Sequence, residues 1–341
     1  MATIKDIAKI SGYSIGTVSR VINHHPDVSE KARERIEKVI RETNYEPNSN
    51  AKLLKQGTNS AITFIVRGYN NVFLQGILEK MQILLDRAGE ETAVDIVDEK
   101  DNEVLEALHL SVSRKPKGFL FLGGNTGNFR KYFEKIKVPS VLLTNSAKGL
   151  DFPNLSSFST DDEAAAEFAI HYLFQCGHRV IGLVGGSPDN RESQAGYQRL
   201  KGCRNALAEC GLTPDDDYYE PSRFSMRGGY DAAGKLLKRH PDITAIFALS
   251  DTIALGVIRA MQDMGLSCPG DISVLGYDGI DIGRYTVPRL TTISQNSDQI
   301  ARLSVSDLLL HLHYPQAEAV HQTVQFRLSR GESVRKRESF L

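Results

Sequence analysis

TIKDIAKISGYSIGTVSRVINHHPDVSEKARERIEKVIRETNYEPNSNAKLLKQG, residues 3–57, decides how this chain is read. Thr3, with Asp6 three residues on, makes a capping-box-like start, and Ile4, Ile7 and Ala8 then set one apolar stripe on a short helix. Gly12 breaks it. Ser14 is placed to cap a second helix in which Val18, Val21 and Ile22 share a face, so Gly16 and Arg20 point the opposite way, flanked by Thr17 and Ser19. Ser29 is expected to cap a third helix, whose stripe of Ala32, Ile36, Val39 and Ile40 completes a small core. A plain helical bundle with a solvated charged face would account for the stripes. It would not account for Gly, Arg, Ser and Thr facing outward together, which is what a helix-turn-helix needs in order to enter a major groove.

The rest of the chain is long enough for further domains. At 341 residues with 41% hydrophobic content it carries ample core-forming material. Net charge is −1 but unevenly spread: residues 1–57 hold 10 Lys and Arg against 7 Asp and Glu, and residues 58–341 hold 31 against 35. The mildly positive end is the one expected to meet DNA. Cys176, Cys203, Cys210 and Cys268 form no C-x-x-C pair, which implies a reduced cytoplasmic protein without structural zinc. No targeting segment or stretch of about 18 apolar residues is found, so secretion and membrane spanning are not expected.

Residues 46–60 shift to the composition of a linker, interrupted by Leu53 and Leu54. From residue 61 the period changes. Short apolar strands at 61–66, 92–98, 117–123 and 138–144 alternate with helical stretches near 72–88, 101–113 and 127–135. The pattern restarts after LSSFSTDD, with strands near 180–186, 218–224, 243–249 and 272–278 between helices near 161–176, 193–210, 227–239 and 252–264. Two doubly wound parallel-sheet lobes follow, and open α/β sheets bind ligands at the carboxyl ends of their strands. Cleft candidates are therefore Tyr69, Asn71 and Phe73 after the first strand, Thr144 and Asn145 after the fourth, and Phe224, Ser250, Asp251 and Asp278 in the second lobe. Arg199 sits one turn into the helix after VIGLVGG. Carboxylates and Arg suit hydroxyls on a ligand's rim, and an aromatic ring suits its apolar face.

The register of Asp6, Ala8, Thr17, Val18, Ser19, Arg20, Val21 and Asn23, then Val28-Ser29, Tyr45, Pro47-Asn48, Ala51-Lys52 and Leu54, resembles the head and hinge of the LacI/GalR family of bacterial transcription regulators. The resemblance implies an all-α helix-turn-helix head (1–46), a hinge helix (47–60) and a periplasmic-binding-protein-like α/β core (61–341). In such cores the chain crosses between lobes three times, here expected near 158–161, 290–294 and 320–324. That makes lobe 1 residues 61–159 and 292–321, and lobe 2 residues 160–291 and 322–341. It further implies a repressor that binds pseudo-palindromic double-stranded operator DNA as a homodimer, under control of a small molecule between the lobes. By the same likeness Leu54 wedges into the minor groove, with Lys52 and Lys55 facing phosphate. Arg20, Ile15 and Gly16 would read bases, and Thr3, Ser14, Thr17, Ser19, Asn23, Ser29, Tyr45 and Asn48 complete the expected DNA contacts. Arg199, Asp278 and Phe224 fall on the family's effector contacts. Ser250 stands where many relatives carry Asn or Asp, and Arg67 replaces a common Pro, so both join the cleft candidates and the familiar sugars cannot be assumed.

Other motifs fail. GGNTG (123–127) and GLVGG (182–186) are neither a P-loop nor a dinucleotide fingerprint, and no G-x-S-x-G elbow exists. His171, Cys176 and His178 surround a helix end, and His311 and His313 lack a third ligand, so no metal or other cofactor is expected. A transport binding protein would lack the head, and an enzyme would need an acid/base or nucleophile set. The expectation is a regulator controlled by a sugar, with a purine, nucleoside or sugar-phosphate corepressor as the alternative.

Overall fold

The computed structural model describes residues 4–22, 28–43, 61–186 and 195–337. The chain divides into two compact units, residues 1–59 and 60–341. In the first, helices α1 (Ile4–Ser11), α2 (Ile15–Ile22) and α3 (Glu30–Glu42) enclose Ile7, Ala8, Val18, Val21, Ile36 and Val39, the stripe positions of the helical period. Gly12 makes the turn between α1 and α2 at φ +80°, where a side chain would be strained. The Ser14 hydroxyl accepts the Thr17 N–H at 3.1 Å, as a cap should. Ser29 departs from expectation. It stands at the cap position of α3 without a side-chain bond, because the Ala32 N–H that its hydroxyl would take turns to the Ser29 carbonyl at 3.0 Å. The expected hinge, residues 47–60, lies outside the described residues.

The second unit holds two six-stranded sheets among the described residues. The first comprises β1 (Ile62–Arg67), β2 (Thr92–Val97), β3 (Gly118–Leu122), β4 (Ser140–Leu143), β5 (Leu155–Thr160) and β11 (His321–Val324), all parallel, in the order β11-β5-β4-β3-β1-β2. The second comprises β6 (Ile181–Val184), β7 (Tyr219–Glu220), β8 (Ala245–Ala248), β9 (Ser273–Asp278), β10 (Thr291–Ser294) and β12 (Arg327–Ser329), in the order β12-β10-β9-β8-β6-β7, with β12 antiparallel to β10. Strands β3, β6 and β8 carry only apolar residues because helices cover both faces. Phe64, Val66, Leu120 and Leu122 face one layer of lobe 1, and Ile65, Phe119 and Phe121 face the other. Edge strand β2 has one face to solvent, so Val94 and Ile96 are exposed.

Lobe 1 carries α4 (Val72–Arg87), α5 (Glu103–Ser113), α6 (Thr126–Tyr132) and α11 (Ser297–His313); lobe 2 carries α7 (Asp162–Gln175), α8 (Ala195–Glu209), α9 (Met226–Arg239) and α10 (Asp251–Asp263). LSSFST, read from sequence only as the place where the pattern restarts, is the buried strand β5. Its hydroxyls are satisfied locally: Ser156 accepts the Val320 N–H at 3.0 Å and Ser157 the Ala147 N–H at 2.9 Å. Two crossings fall later than expected. Thr291–Ser294 pairs with β9 in the second sheet and His321–Val324 with β5 in the first, so ladder pairing carries the chain past 294 and past 324 before it changes lobe. The expected strand at 218–224 is only the two residues of β7.

Helices α7 and α8 approach closely at Gly202, where an added Cβ would stand 2.2 Å from the Glu163 carbonyl oxygen. Gly202→Ala should therefore cost about 1–3 kcal/mol despite its better helix propensity. A lowered chemical-denaturation midpoint of the full chain checks this, and an unchanged midpoint would show that the two helices separate freely.

Candidate functional site

On the head, α2 buries Val18 and Val21 and leaves Gly16 and Arg20 exposed, so the guanidinium stands on the outward face of the second helix. Thr17 is half-buried and bonded to the Ser14 hydroxyl at 2.9 Å. Ser29 is exposed at the start of α3. The expected DNA contacts Thr3, Asn23, Tyr45, Asn48, Lys52, Leu54 and Lys55 lie outside the described residues, as do the side chains of Ile15 and Ser19.

In the core, the carboxyl ends of the second-lobe strands converge on Arg199, which α8 projects into the base of the lobe. Its side chain is 6% exposed. Nε donates to Asp162 Oδ1 at 2.7 Å, Nη1 donates to the Leu249 carbonyl at 2.6 Å, and Nη1 stands 3.7 Å from Asp278 Oδ1. The guanidinium lies 3.7 Å over the Tyr277 ring, whose hydroxyl donates to Asp162 at 2.7 Å. Burial works against the Arg199 charge, but Asp162, Tyr277 and Asp278 outweigh it and hold the group charged. Asp278 adopts φ +116°, a strained conformation for a non-glycine residue, at the end of β9. Its Oδ1 accepts from Gln295 Nε2 at 2.8 Å, and Gln295 Oε1 accepts from the Thr160 hydroxyl at 2.8 Å. Two of the chain crossings thus connect to the same carboxyl.

The remaining cleft candidates divide by what already holds them. Arg67 donates to the Glu99 carbonyl and lies 4.0 Å from the buried Glu103, while its Nε is buried without a hydrogen-bond partner. Tyr69 is 57% exposed, and Phe224 is half-buried. Thr144 turns the chain at φ +67° after β4, with its N–H on the Phe158 carbonyl, and Asn145 accepts the Gly124 N–H at 3.2 Å. Asn71 caps α4 through Leu74 N–H, and Ser250 caps α10 through Ile253 N–H. Phe73 belongs to the lobe-1 core and borders a groove of about 910 Å³ on the crossover side, lined also by Gly279, Gln295 and Gln325 just beyond the ends of β9, β10 and β11. Asp251 is fully buried and accepts the Gly279 and Ile280 N–H groups at 2.7 and 2.8 Å. That turn delivers Ile280 from the second lobe into the apolar cluster of the first.

Sequence reasoning missed Asp162, Tyr277, Gln295 and Thr160. A signal existed in doubled polar residues at helix starts, where one caps and its neighbour is left for other work. Asp161 caps α7 and frees Asp162; Asn296 caps α11 and frees Gln295. Among the described residues no group of three or more His, Cys, Asp or Glu could hold a metal ion.

Burial pushes the Asp278 carboxyl up to about 7, against the pull of Arg199 and Gln295. An acid raised in the folded state binds more protons there than when unfolded, so its contribution to stability is greatest below the unfolded value and falls as pH rises towards 7. Between pH 5 and 8 this group alone should remove about 2–3 kcal/mol. Asp278→Asn should flatten that part of the profile, measured by urea denaturation of both proteins across the range; parallel profiles would contradict the assignment.

The family described as bacterial regulatory proteins, lacI family, matches residues 3–48, and the periplasmic binding protein-like domain matches residues 170–334. The HTH-type transcriptional regulator MalR of Clostridium butyricum is 36% identical over 338 residues, covering 97% of this chain and 98% of that protein. The ribose operon repressor of Haemophilus influenzae is 30% identical over 316 residues, covering 92% and 93%. A solved transcriptional regulator CelR–cellobiose complex shares the fold with a TM-score of 0.70 at 25% identity, covering 98% of this chain and all of that one. No helix among the described residues is long and apolar enough to cross a membrane. With its three-helix head, its two parallel-sheet lobes and relatives that match end to end, the chain belongs to the lacI family of bacterial regulatory proteins and is a DNA-binding transcriptional repressor of that family.

Proposed function

We propose that a neutral, hydroxyl-rich small molecule, a sugar, binds between the lobes and sets the affinity of a homodimer for a pseudo-palindromic operator. The observation that carries this reading is the Arg199–Asp278 pair: a guanidinium donor and a carboxyl acceptor 3.7 Å apart, buried together at strand ends and tied to two chain crossings. A hydroxyl can donate to one and accept from the other, which is how sugars are held. Arg67, Tyr69, Asn71, Thr144 and Phe224 are the further groups proposed to meet it. Charge argues against a phosphorylated effector. Arg67, Arg199 and Arg223 face Asp98, Glu99, Glu103, Asp162 and Asp278, five carboxyl groups to three guanidiniums. The cellobiose of the related complex and the ribose operon of the related repressor support the same class.

On the DNA side, Arg20 is proposed to read guanine O6 and N7, and two heads on two half-sites supply the affinity that one short head lacks. Arg20→Ala should relax preference at one base pair per half-site by about 1–3 kcal/mol, measured by competition with operator variants. Equal losses on every base would refute the assignment.

The effector is tested by thermal shift of the full chain against neutral mono- and disaccharides, nucleosides, purine bases and sugar phosphates. A ligand at about 100 times its Kd adds about 2.7 kcal/mol. Neutral sugars should shift the transition, and Asp278→Asn should abolish the shift. Stabilisation by a sugar phosphate, nucleoside or purine base and by no neutral sugar would overturn the proposal.

A further inference from the structure

The three chain crossings lie at one edge of the core. They leave β5 and β11 at one end of the first sheet, and β10 and β12 at the matching end of the second. The opposite edges are β2 and β7, and there the lobes meet again. Arg223 Nη1, just beyond β7, stands 3.6 Å from Asp98 Oδ2, just beyond β2. Glu99 lies beside that pair: burial raises its carboxyl, while the Arg223 guanidinium and the Phe224 backbone N–H pull it towards the charged form.

Both turns are held before they meet. Asp98 accepts the Lys100 N–H at 3.0 Å, and its own N–H donates to Asp101 at 3.2 Å. Across the gap, the Ser222 N–H donates to the Gly186 carbonyl at 2.8 Å, its hydroxyl donates to the Arg223 carbonyl at 2.8 Å, and Ser225 caps α9. The charges therefore face one another without ordering a loop, so the pair costs the side-chain entropy of Arg223 and Asp98 and no loop entropy.

We propose that the Asp98–Glu99 turn of lobe 1 and the Arg223–Phe224 turn of lobe 2 form a ligand-independent latch across the mouth of the cleft, which an entering effector has to open. The proposal rests on the cleft lying between the lobes, but its test needs no effector. Position gives the latch its leverage. Four to five strand spacings separate it from the crossings, about 20–24 Å, so a rotation of about 10° there moves the rim by about 4 Å and breaks the pair. Exposure limits its strength. Arg223 is 58% and Asp98 30% exposed, so the pair should bias the closed state only about two- to fivefold. A weak latch of this kind keeps the mouth shut most of the time without locking ligand out.

Hydrogen exchange of the full chain, without ligand, tests it. Arg223→Asp should raise exchange about two- to fivefold in peptides spanning residues 97–101 and 221–226, leaving β3 and β8 unchanged. Adding Asp98→Arg to that variant should restore wild-type exchange in the 221–226 peptide, because the pair is rebuilt with its charges reversed; the 97–101 peptide loses the Asp98 bond to the Lys100 N–H in this variant and is read from the salt comparison. Moving the wild-type chain from about 0.05 to 0.5 M salt should reproduce the single variant's effect in the same two peptides. If Arg223→Asp instead raises exchange throughout, the salt comparison on the unaltered chain decides. No change in either peptide, or a double variant no better than the single one, would overturn the latch. A failed sugar screen beside a successful exchange experiment would reject the proposed effector class and leave the latch standing.

Discussion

The core depends on one buried charge arrangement: Arg199 held between Asp162 and Asp278 and laid over Tyr277. Taking a guanidinium and two carboxyls out of water is costly, and replacing such a group by apolar residues often stabilises a protein. Stability is thus a poor reason for its presence. What the arrangement provides is position. Each partner comes from a different element, α7, α8 and β9, with the end of β8 supplying a carbonyl, so the second lobe is registered at the place where its strands end.

From that point the connections run outward to the chain crossings. Asp278 reaches Gln295, and Gln295 reaches Thr160, so two crossings are tied to the site through hydrogen bonds of 2.8 Å. Asp251 makes a second link of a different kind. Its carboxyl is raised well above the ordinary range, by burial first and by Asp278 next, yet it accepts two backbone N–H groups that hold Ile280 against the other lobe. A polar tie and an apolar tie between the lobes therefore sit close to the crossings.

The fold was legible because its signals are periodic. GFLFL and SVLL read as buried strands, and the head's stripes of Ile7, Val18, Val21 and Ile36 mark its core residue by residue. The strand LSSFST was not legible as one, since hydroxyls mark a strand only when their partners, Val320, Ala147 and Gln295, are known to be near. In the site, Arg199 and Asp278 stood out at strand and helix ends, and the structure brings them to 3.7 Å. Ser250, Asp251 and Phe73 were chosen by the same rule, and each is engaged in a cap, a turn or the core. Position at a strand end shows that a side chain is near the cleft. It does not show which way the side chain's hydrogen bonds are already directed.

A regulator needs two states of nearly equal free energy, and a ligand shifts them only by its difference in affinity between them. The distribution of inter-lobe contacts suits that requirement. Strong contacts, buried and hydrogen-bonded, lie beside the crossings, where both states can keep them. Contacts that opening must break lie on the far rim, and the described one is a solvent-exposed ion pair of small worth. Were the strengths reversed, the lobes would be fixed in one arrangement and no ligand of ordinary affinity could move them. Asp278 stands between the two regimes: it is bonded to the crossings through Gln295 and burial raises its carboxyl to about 7, so the proposed ligand hydroxyl, by favouring its charged form, would act on a group tied to the crossings.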